Sequence, residues 1–470
     1  MHKAPGIARD DRIEAVKSTK YTGSFDIRIQ REIQMNNILI RLEDQSLEHK
    51  RLLIIVLVCF SLFLSTSLFY QSRLVVTSSD TSDFSAYYSA YMIERELGTS
   101  IYDRDGFLNT SRHESVKGDT REYLYTPLLA EAMSLFMPND YTTARLVWLV
   151  IEHAALFSIF IISGLLAITS LNAAPLHSFT LSALVIIGFS AVERSLFYGQ
   201  ATLVMVALVY FSVLMRELNR PYIAGFVAAL ATILKLYPIV YLVALIIKGR
   251  YIESLAFLGF LVLIVLAFIM IFGPEDWIHF IQFENSPLTS RIGADVTSMT
   301  YEEPNYSIYA LISLLADQYS WSISRPEIWK WIKVVIAGSA LTVLVLFFNR
   351  IRYKMSFLHL VTLGFTGILL LSPLGWNHLY ILLIPTFIAL GYQLVFDAKT
   401  SNYMFFTLLV SFVLVGFPDI LINMPFTNNG MLVALKFTKL YGLLILIMLM
   451  IVYPPPNDAK APASEPFASP

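Results

Sequence analysis

Residues 222–247, YIAGFVAALATILKLYPIVYLVALII, decide the transmembrane topology predicted for this chain. Lys235 is the one charged residue in the stretch, and short basic loops flank it, RELNR at 216–220 and KGR at 248–250. Basic loops favour the cytoplasmic side of a membrane, and a single span cannot leave both of its ends there. Pro238 removes a backbone donor and disfavours helix at the residue before it. The stretch is therefore predicted to form two half-spans that turn at KLYP.

Composition places the whole chain in a membrane. Of its 470 residues, 56% are hydrophobic and 15% are charged, with a mean hydropathy of +0.62. Repeated apolar runs approach the length that crosses about 30 Å of hydrocarbon. The net charge of −1 indicates no class of partner, and the lack of a basic block means that nucleic acid is not an expected partner. A single cysteine, Cys59, excludes an intrachain disulfide framework. The predicted fold class is an all-α polytopic membrane protein.

Charge also predicts the orientation of the chain. Lys50 and Arg51 abut the first apolar run, so residues 1–51 are expected in the cytoplasm, with that run as an uncleaved signal anchor. A membrane domain follows over 52–453, and the Pro- and Ala-rich end, 454–470, is predicted to be disordered. Spans are expected near 52–70, 146–169, 179–193, 197–215, 222–234, 238–247, 255–272, 327–348, 357–371, 379–396, 403–417 and 430–453.

This topology puts two long loops, 71–145 and 273–326, on the outer face. Loops of that length are usually functional. Within the first, the apolar run 124–137, LYTPLLAEAMSLFM, is too short to span and is predicted to be a juxtamembrane helix. From Phe84 to Leu97, apolar residues recur at about helical spacing, which indicates an amphipathic helix lying in the interface.

Two aspartates, Asp80 and Asp83, stand where the chain leaves the first span. Asp83 precedes the predicted helix, so its carboxylate is either an N-cap or a general base for a sugar hydroxyl at headgroup depth. The spacing does not separate Asp80 from Asp83 as the base.

Other polar groups also have two interpretations each. Lys235 either snorkels to the outer headgroups or binds an anion such as a lipid phosphate. Gln200 either packs against a neighbouring helix through its amide or lines a site. Trp376 suits an aromatic belt, or a headgroup contact shared with Asn377 and His378. Glu302 and Glu303 form either a solvated pair or part of an acceptor site.

Metal and nucleotide chemistry have little support in the sequence. The chain has eight histidines, none in an H-x-x-x-H or H-E-x-x-H spacing. The pattern DxD occurs as Asp103–Asp105, far from the other candidates, and no glycine-rich phosphate loop is present. Neither a metal nor another cofactor is therefore expected.

Several segments resemble glycosyltransferase family 87, the polyprenyl-phosphate-mannose-dependent mannosyltransferases of the GT-C superfamily. They occur in the family's order over about residues 80–390: DFSAYYSA followed by GTSIYD, then YLYTP, FYGQATLVMVAL, AGFVAALATILKLYP, EEPNYSIYALI and SPLGWNHLYILLIP. Two departures stand out. Thr202 takes the place of the usual Asn after the GQ pair, and Leu379 follows His378 where the family commonly has a second histidine.

The resemblance implies a GT-C fold with about 10–13 transmembrane helices and juxtamembrane helices in the first outer loop. It implies a metal-independent hexosyltransferase of the bacterial inner membrane that moves mannose, with inversion, from a polyprenyl phosphate to a glycan or glycolipid on the outer face. Asp83 matches the family's catalytic base. The expected substrate-binding residues are Lys235, Gln200, Tyr87, Tyr123, Tyr125, Trp376, Asn377, His378 and Asn305.

Two other classes share some of these features. A transporter or flippase of lipid-linked sugars would also have broken helices with buried polar groups. Such proteins more often show repeated halves and intramembrane charges on several spans, whereas this sequence has one lysine at a break and no internal symmetry. A GT-C ligase or polymerase would use a polyprenyl diphosphate donor, and arginine-rich outer loops would favour it. The outer arginines here are scattered.

Overall fold

The structure is a computed structural model. It describes residues 38, 40, 42–43, 45–77, 83–96, 100–102, 123, 125–284, 305–321, 325–396, 402–417, 424, 427 and 430–452. Asp80, Asp103–Asp105, Glu302 and Glu303, which were considered above, lie outside these residues. The predicted tail, 454–470, lies outside them as well.

Helices make up the fold. In chain order they are α1 Leu47–Thr77, α2 Phe84–Glu96, α3 Pro127–Phe136, α4 Tyr141–Leu171, α5 Pro175–Ile187, α6 Ser190–Tyr198, α7 Thr202–Glu217, α8 Pro221–Leu234, α9 Ile239–Ile247, α10 Tyr251–Phe272, α11 Glu275–Glu284, α12 Ile308–Gln318, α13 Arg325–Lys354, α14 Phe357–Leu371, α15 Ile384–Phe396, α16 Asn402–Gly416 and α17 Thr438–Val452. Two 3₁₀ helices, Asn377–Leu383 and Gly430–Lys436, precede α15 and α17. Across the described ranges there is no β-strand, only an isolated antiparallel bridge between Asn305 and Trp376.

The membrane class predicted from composition is confirmed. Within the described ranges α1, α4, α10 and the segment Asn377–Val395 are each long and apolar enough to cross a membrane. Two bent pairs raise this number to six, α5 with α6 at 60° and the 3₁₀ helix Gly430–Lys436 with α17 at 63°. Other predicted spans form shorter apolar helices, such as α8, α14 and α16. The chain is an all-α polytopic membrane protein.

The break predicted at KLYP is present. Helix α8 ends at Leu234 and α9 begins at Ile239. Lys235 caps α8 with an extended backbone, φ −150° and ψ 134°, while Pro238 precedes α9. The physical reason is local, because the proline ring excludes helix at the residue before it and lacks an N–H for the ladder.

The helix predicted over 197–215 begins later than expected. Helix α6 continues to Tyr198, Gly199 has a positive φ of 68°, and α7 starts at Thr202. A left-handed residue ends a helix, and glycine adopts that conformation without steric cost. Residues 199–201 are therefore a turn rather than the first turn of a span, which gives Gln200 a place outside the helix ladder.

Helix α2 corrects the expectation of an amphipathic helix in the interface. Every residue from Phe84 to Ile93 is buried. The helix packs against α3 and contacts α4, and its aromatic side chains join those of Tyr123, Tyr141 and Trp148 in one cluster. Tyrosine, alanine and serine occur both in protein interiors and at membrane interfaces. Their spacing therefore could not show that protein also covers the face of α2 that was expected to be exposed to water.

Candidate active site

Asp83 stands at the start of α2, and its backbone carbonyl accepts a hydrogen bond from Ala86 at 3.1 Å. Its side chain is half-buried. The carboxylate oxygen Oδ2 accepts a hydrogen bond from Nε2 of Gln200, which comes from the turn between α6 and α7. The residue that precedes α2 is therefore joined to a residue 117 positions further along the chain.

Gln200 is the centre of the polar cluster. Its side chain is fully buried, and its amide oxygen Oε1 accepts from Nζ of Lys235 at 3.0 Å. The hydroxyls of Tyr125 and Tyr87 approach the same oxygen at 3.3 Å and 3.5 Å. One amide group thus bonds to the carboxylate of Asp83 on its nitrogen side and to the ammonium of Lys235 on its oxygen side.

Lys235 is 6% exposed, so it does not snorkel into the headgroups. Its ammonium donates a second hydrogen bond to Oγ1 of Thr202 at 2.9 Å and lies 5.0 Å from the centre of the Tyr125 ring. The Asp83 carboxylate is close enough to act electrostatically on it. A buried ammonium requires such partners, because an unpaired charge is costly to remove from water. The expected proximity of Asp83 and Lys235 is therefore observed.

Three tyrosines surround the cluster. The ring of Tyr87 lies 5.0 Å from that of Tyr125, and the ring of Tyr123 lies 5.7 Å from Tyr125. Burial raises the pKa of the Tyr87 and Tyr125 phenols, so both stay protonated and can donate to Gln200. Tyr123 differs, because its hydroxyl donates to the carbonyl of Thr126 at 2.7 Å and accepts from Ala130. It holds the start of α3 and does not bond to Gln200.

The other expected site residues lie in a neighbouring loop. Asn305 bonds to the backbone of that loop, donating to Pro373 O at 2.9 Å and accepting from Gly375 N at 2.7 Å. The loop continues into the remaining candidates. Trp376 is half-buried and its ring lies 5.7 Å from that of His378, while Asn377 and His378 are buried. Tyr237, which interacts with Ser372 and acts electrostatically on Tyr125, links this loop to the cluster. Asn305 is thus a structural residue of this loop.

A second group of carboxylates comprises Glu94 on α2, Glu131 on α3 and Asp276 on α11. Asp276, on α11, accepts from Ser100 Oγ at 2.8 Å and from Ile101 N at 3.1 Å. Glu131, on α3, is fully buried. Its pKa is raised to about 8, mainly by burial and further by the charges of Glu94 and Asp276. The pKa of Glu94 is also raised, by burial and by its hydrogen bond to Asp276.

Sequence reasoning missed four residues that shape the site: Thr202, Tyr237, Arg145 and Trp148. The sequence did mark Thr202, because it departs from the family pattern after the GQ pair. In the structure its hydroxyl oxygen accepts a hydrogen bond from Lys235. Arg145 and Trp148 lie on α4 and bond to the backbone of residues 196–199. No motif marks them. Among the described residues, no group of three or more His, Cys, Asp or Glu side chains is arranged to hold a metal ion.

These features define a membrane protein with a buried polar cluster in which an amide joins a carboxylate to an ammonium. A family model, Glycosyltransferase family 87, matches residues 123–373, and the chain belongs to this family of membrane glycosyltransferases. The helical membrane architecture agrees with the GT-C superfamily. No curated protein matches the chain. The matched range includes Gln200 and Lys235, whereas Asp83 and residues 376–378 lie outside it.

Proposed function

We propose that this enzyme transfers a hexose, mannose, from a polyprenyl phosphate to a hydroxyl of a glycan or glycolipid acceptor on the outer face of the membrane, with inversion at the anomeric carbon. One observation carries the proposal. The amide of Gln200 bonds to Asp83 through its nitrogen and to Lys235 through its oxygen. A base and a cation at the two ends of a rigid amide suit a reaction that removes one proton and releases one anion.

In the proposed step, the acceptor oxygen attacks the anomeric carbon while its proton passes to the carboxylate of Asp83. The bond between that carbon and the phosphate oxygen breaks, and its electron pair stays on the oxygen. Polyprenyl phosphate leaves as an anion with one more negative charge. A single displacement of this kind inverts the anomeric centre, so a β-linked donor gives an α-linked product.

The position of Asp83 suits the role of general base. It is half-buried, whereas Gln200 is fully buried and Lys235 is 6% exposed. The accessible side of the cluster is therefore the one that carries Asp83, and a hydroxyl that approaches from there meets the carboxylate first. Next to buried aromatic rings, a carboxylate has less competition from water for the proton.

Lys235 supplies the positive charge for the leaving phosphate. It is held by two neutral oxygens, of Gln200 and Thr202, so its charge is not neutralised by either hydrogen-bond acceptor. A fixed cation in a site that excludes water stabilises an oxyanion strongly. The reaction can therefore proceed with a side chain in the place that a divalent metal takes in nucleotide-sugar enzymes, and the proposed enzyme is metal-independent.

We place the site on the outer face of a bacterial inner membrane, with the N-terminus in the cytoplasm. The support is the distribution of basic loops, since RELNR and KGR fall on one side and the Asp83 loop on the other. Single cysteines in a Cys59→Ser background test this orientation. A membrane-impermeant thiol reagent should label Asn109→Cys in intact cells and spare Asn219→Cys. The reverse pattern would overturn the topology.

The experiment that tests the function uses purified enzyme in nanodiscs with radiolabelled polyprenyl-phosphate mannose and a panel of glycan and glycolipid acceptors. We expect transfer by the unchanged enzyme and none by Asp83→Asn, which keeps the size and hydrogen bonding of the side chain but cannot accept the proton. Donor binding should persist in this variant. Unimpaired transfer by Asp83→Asn would remove the base from the mechanism.

A further inference from the structure

We infer that Arg145 and Trp148, on α4, are positioning residues for the transfer: they fix the turn that carries Gln200 and so set the geometry between Asp83 and Lys235. The inference rests on the proposed function, because it concerns the same carboxylate and ammonium. Both act through the backbone of residues 196–199.

Arg145 holds the end of α6. Its side chain is 1% exposed, and Nη2 donates to the carbonyls of Leu196 at 2.6 Å and Phe197 at 3.3 Å. Carbonyls in the last turn of a helix have no partner within the helix, and a cation there also suits the helix dipole. Nη1 donates to Glu152 Oε2 at 3.0 Å, which fixes the guanidinium from its other side.

Trp148 holds Gly199, two residues after the carbonyl of Phe197. Its indole Nε1 donates to the carbonyl of Gly199 at 2.9 Å. Gly199 has φ +68°, and a Cβ there would lie 2.8 Å from Cβ of Phe84 and 3.0 Å from Cζ of Arg145. The turn is therefore wedged between the guanidinium and the residue after Asp83, and only glycine fits. Gln200 follows directly, so its side chain starts from a backbone fixed on two sides.

The same pair also contacts the helix that carries the base. The guanidinium of Arg145 lies 5.6 Å from the centre of the Phe84 ring, and the Trp148 ring lies 6.2 Å from it. Phe84 is the first residue of α2 and the neighbour of Asp83. Both ends of the contact between Asp83 and Gln200 are thus set from α4, within one turn of that helix.

Stability alone is a poor explanation for this arrangement. The Arg145–Glu152 pair has side chains that are 1% and 0% exposed. Replacement of such a buried pair by apolar residues of similar volume is often neutral or stabilising, because removing two charges from water is costly. Conformational precision is a better reason to bury a guanidinium here, since a displacement of about 1 Å near a reacting centre can lower a rate about a hundredfold.

The chemical consequence concerns the proton. The Gln200 amide donates to the charged carboxylate of Asp83, and such a donor favours the charged form. When the turn loosens, that donation weakens and the base holds its proton more tightly. The acidic limb of the pH–rate profile should then move to higher pH, while a change that only destabilises the fold leaves the limb in place.

Trp148→Phe removes the indole N–H and keeps a ring in the cluster. Its matched control is Trp329→Phe. The indole N–H of Trp329, on α13, donates to Ser313, on α12, at 2.9 Å. We expect Trp148→Phe to lower kcat about two- to tenfold, the factor that one neutral hydrogen bond supports, and to move the acidic limb upward. Trp329→Phe should change neither.

Arg145→Lys keeps a charge for Glu152 but loses the planar fork that reaches two carbonyls, so we expect a larger fall in kcat, about ten- to a hundredfold. Arg216→Lys is its control, since Arg216 pairs with Glu253 at 3.4 Å elsewhere in the protein. Identical profiles for Trp148→Phe and Trp329→Phe, beside an inactive Asp83→Asn, would refute the positioning role alone. Full activity of Asp83→Asn would instead refute the proposed function.

Discussion

Replacing Lys235 by methionine removes one positive charge from the cluster and keeps a long side chain. The ammonium contacts Gln200 Oε1 at 3.0 Å and Thr202 Oγ1 at 2.9 Å, and its side chain is 6% exposed. Gln200 keeps the donors of Tyr125 and Tyr87 after the change. The fold should tolerate the substitution, because an apolar side chain avoids the cost of burying an ammonium.

In the proposed transfer the leaving phosphate gains a negative charge, and the expected loss follows from that charge. Two unit charges about 4 Å apart interact by about 4 kcal/mol at an effective dielectric constant of about 20. Loss of a single oxyanion donor in an enzyme costs about 2.7–4 kcal/mol. Both figures correspond to a fall in kcat/KM for the polyprenyl-phosphate donor of about a hundred- to a thousandfold. Lys235→Arg should recover part of this, since it restores the charge with a different shape.

The assay is transfer of radiolabelled mannose in nanodiscs, with initial rates over a range of donor concentrations. The matched control is Lys248→Met, at the far end of α9. Lys248 is half-buried and donates to backbone carbonyls of Arg352, at 2.8 Å, and Met355. It lies about 14 Å from the start of α9, by the rise of a helix of its length. Lys248→Met should keep the wild-type kcat/KM.

A Lys235→Met enzyme with kcat/KM within threefold of Lys248→Met would refute this reasoning. Lys235 would then be a packing residue of the α8–α9 break, and the leaving phosphate would take its stabilisation elsewhere. Inhibition by free polyprenyl phosphate gives an independent measurement. Its inhibition constant should rise in Lys235→Met and stay unchanged in Lys248→Met, because the product carries the charge that Lys235 is proposed to bind.

Three further outcomes follow. Thr202→Val removes one of the two acceptors of Lys235, so kcat/KM should fall about threefold to tenfold in the transfer assay, whereas an unchanged value would make the hydroxyl dispensable. A chelator such as EDTA should leave the rate unchanged, and restoration of a lost rate by added Mg²⁺ would contradict metal independence. Glu131 has a pKa raised to about 8, so the folded protein keeps a proton that the unfolded chain releases near pH 4.5. The free energy of unfolding should therefore fall as pH rises from 5 to 8, by up to about 1.4 kcal/mol per pH unit, and the Tm should fall with it. Glu131→Gln should flatten this dependence, and a Tm that still falls with the same slope would assign it to other groups.

The features that the sequence predicted well are those with local causes. Pro238 acts on its own neighbours, so the break at 235–238 could be expected from the letters KLYP. The position of Asp83 directly before a helix was also predictable, because the aromatic and small residues that form this helix follow it in the sequence. The membrane class follows from apolar runs, because hydrocarbon tolerates few unpaired polar groups whatever the packing of the helices.

The cluster itself was only partly predictable. The proximity of Asp83 and Lys235 was predicted from a family resemblance and from the expected topology. For Gln200 the sequence did not decide between packing against a neighbouring helix and lining a site. The structure makes Gln200 the bridge, because a left-handed Gly199 removes it from the helix and turns its side chain to both partners. Asn305 and Tyr123 shared the predicted site, yet their hydrogen bonds go to nearby backbone.

By itself, the sequence determined that this is a helical membrane protein and that the stretch 222–247 breaks at KLYP, since these depend on hydropathy and proline geometry over short stretches. Only the tertiary structure decided that residues 84–93 of helix α2 are buried and that Arg145 and Trp148 of α4 bond to the backbone of the turn before Gln200. The physical reason is the distance along the chain. Gln200 lies 117 residues from Asp83 and 35 from Lys235, and contacts of that range depend on how helices pack, which no local pattern records.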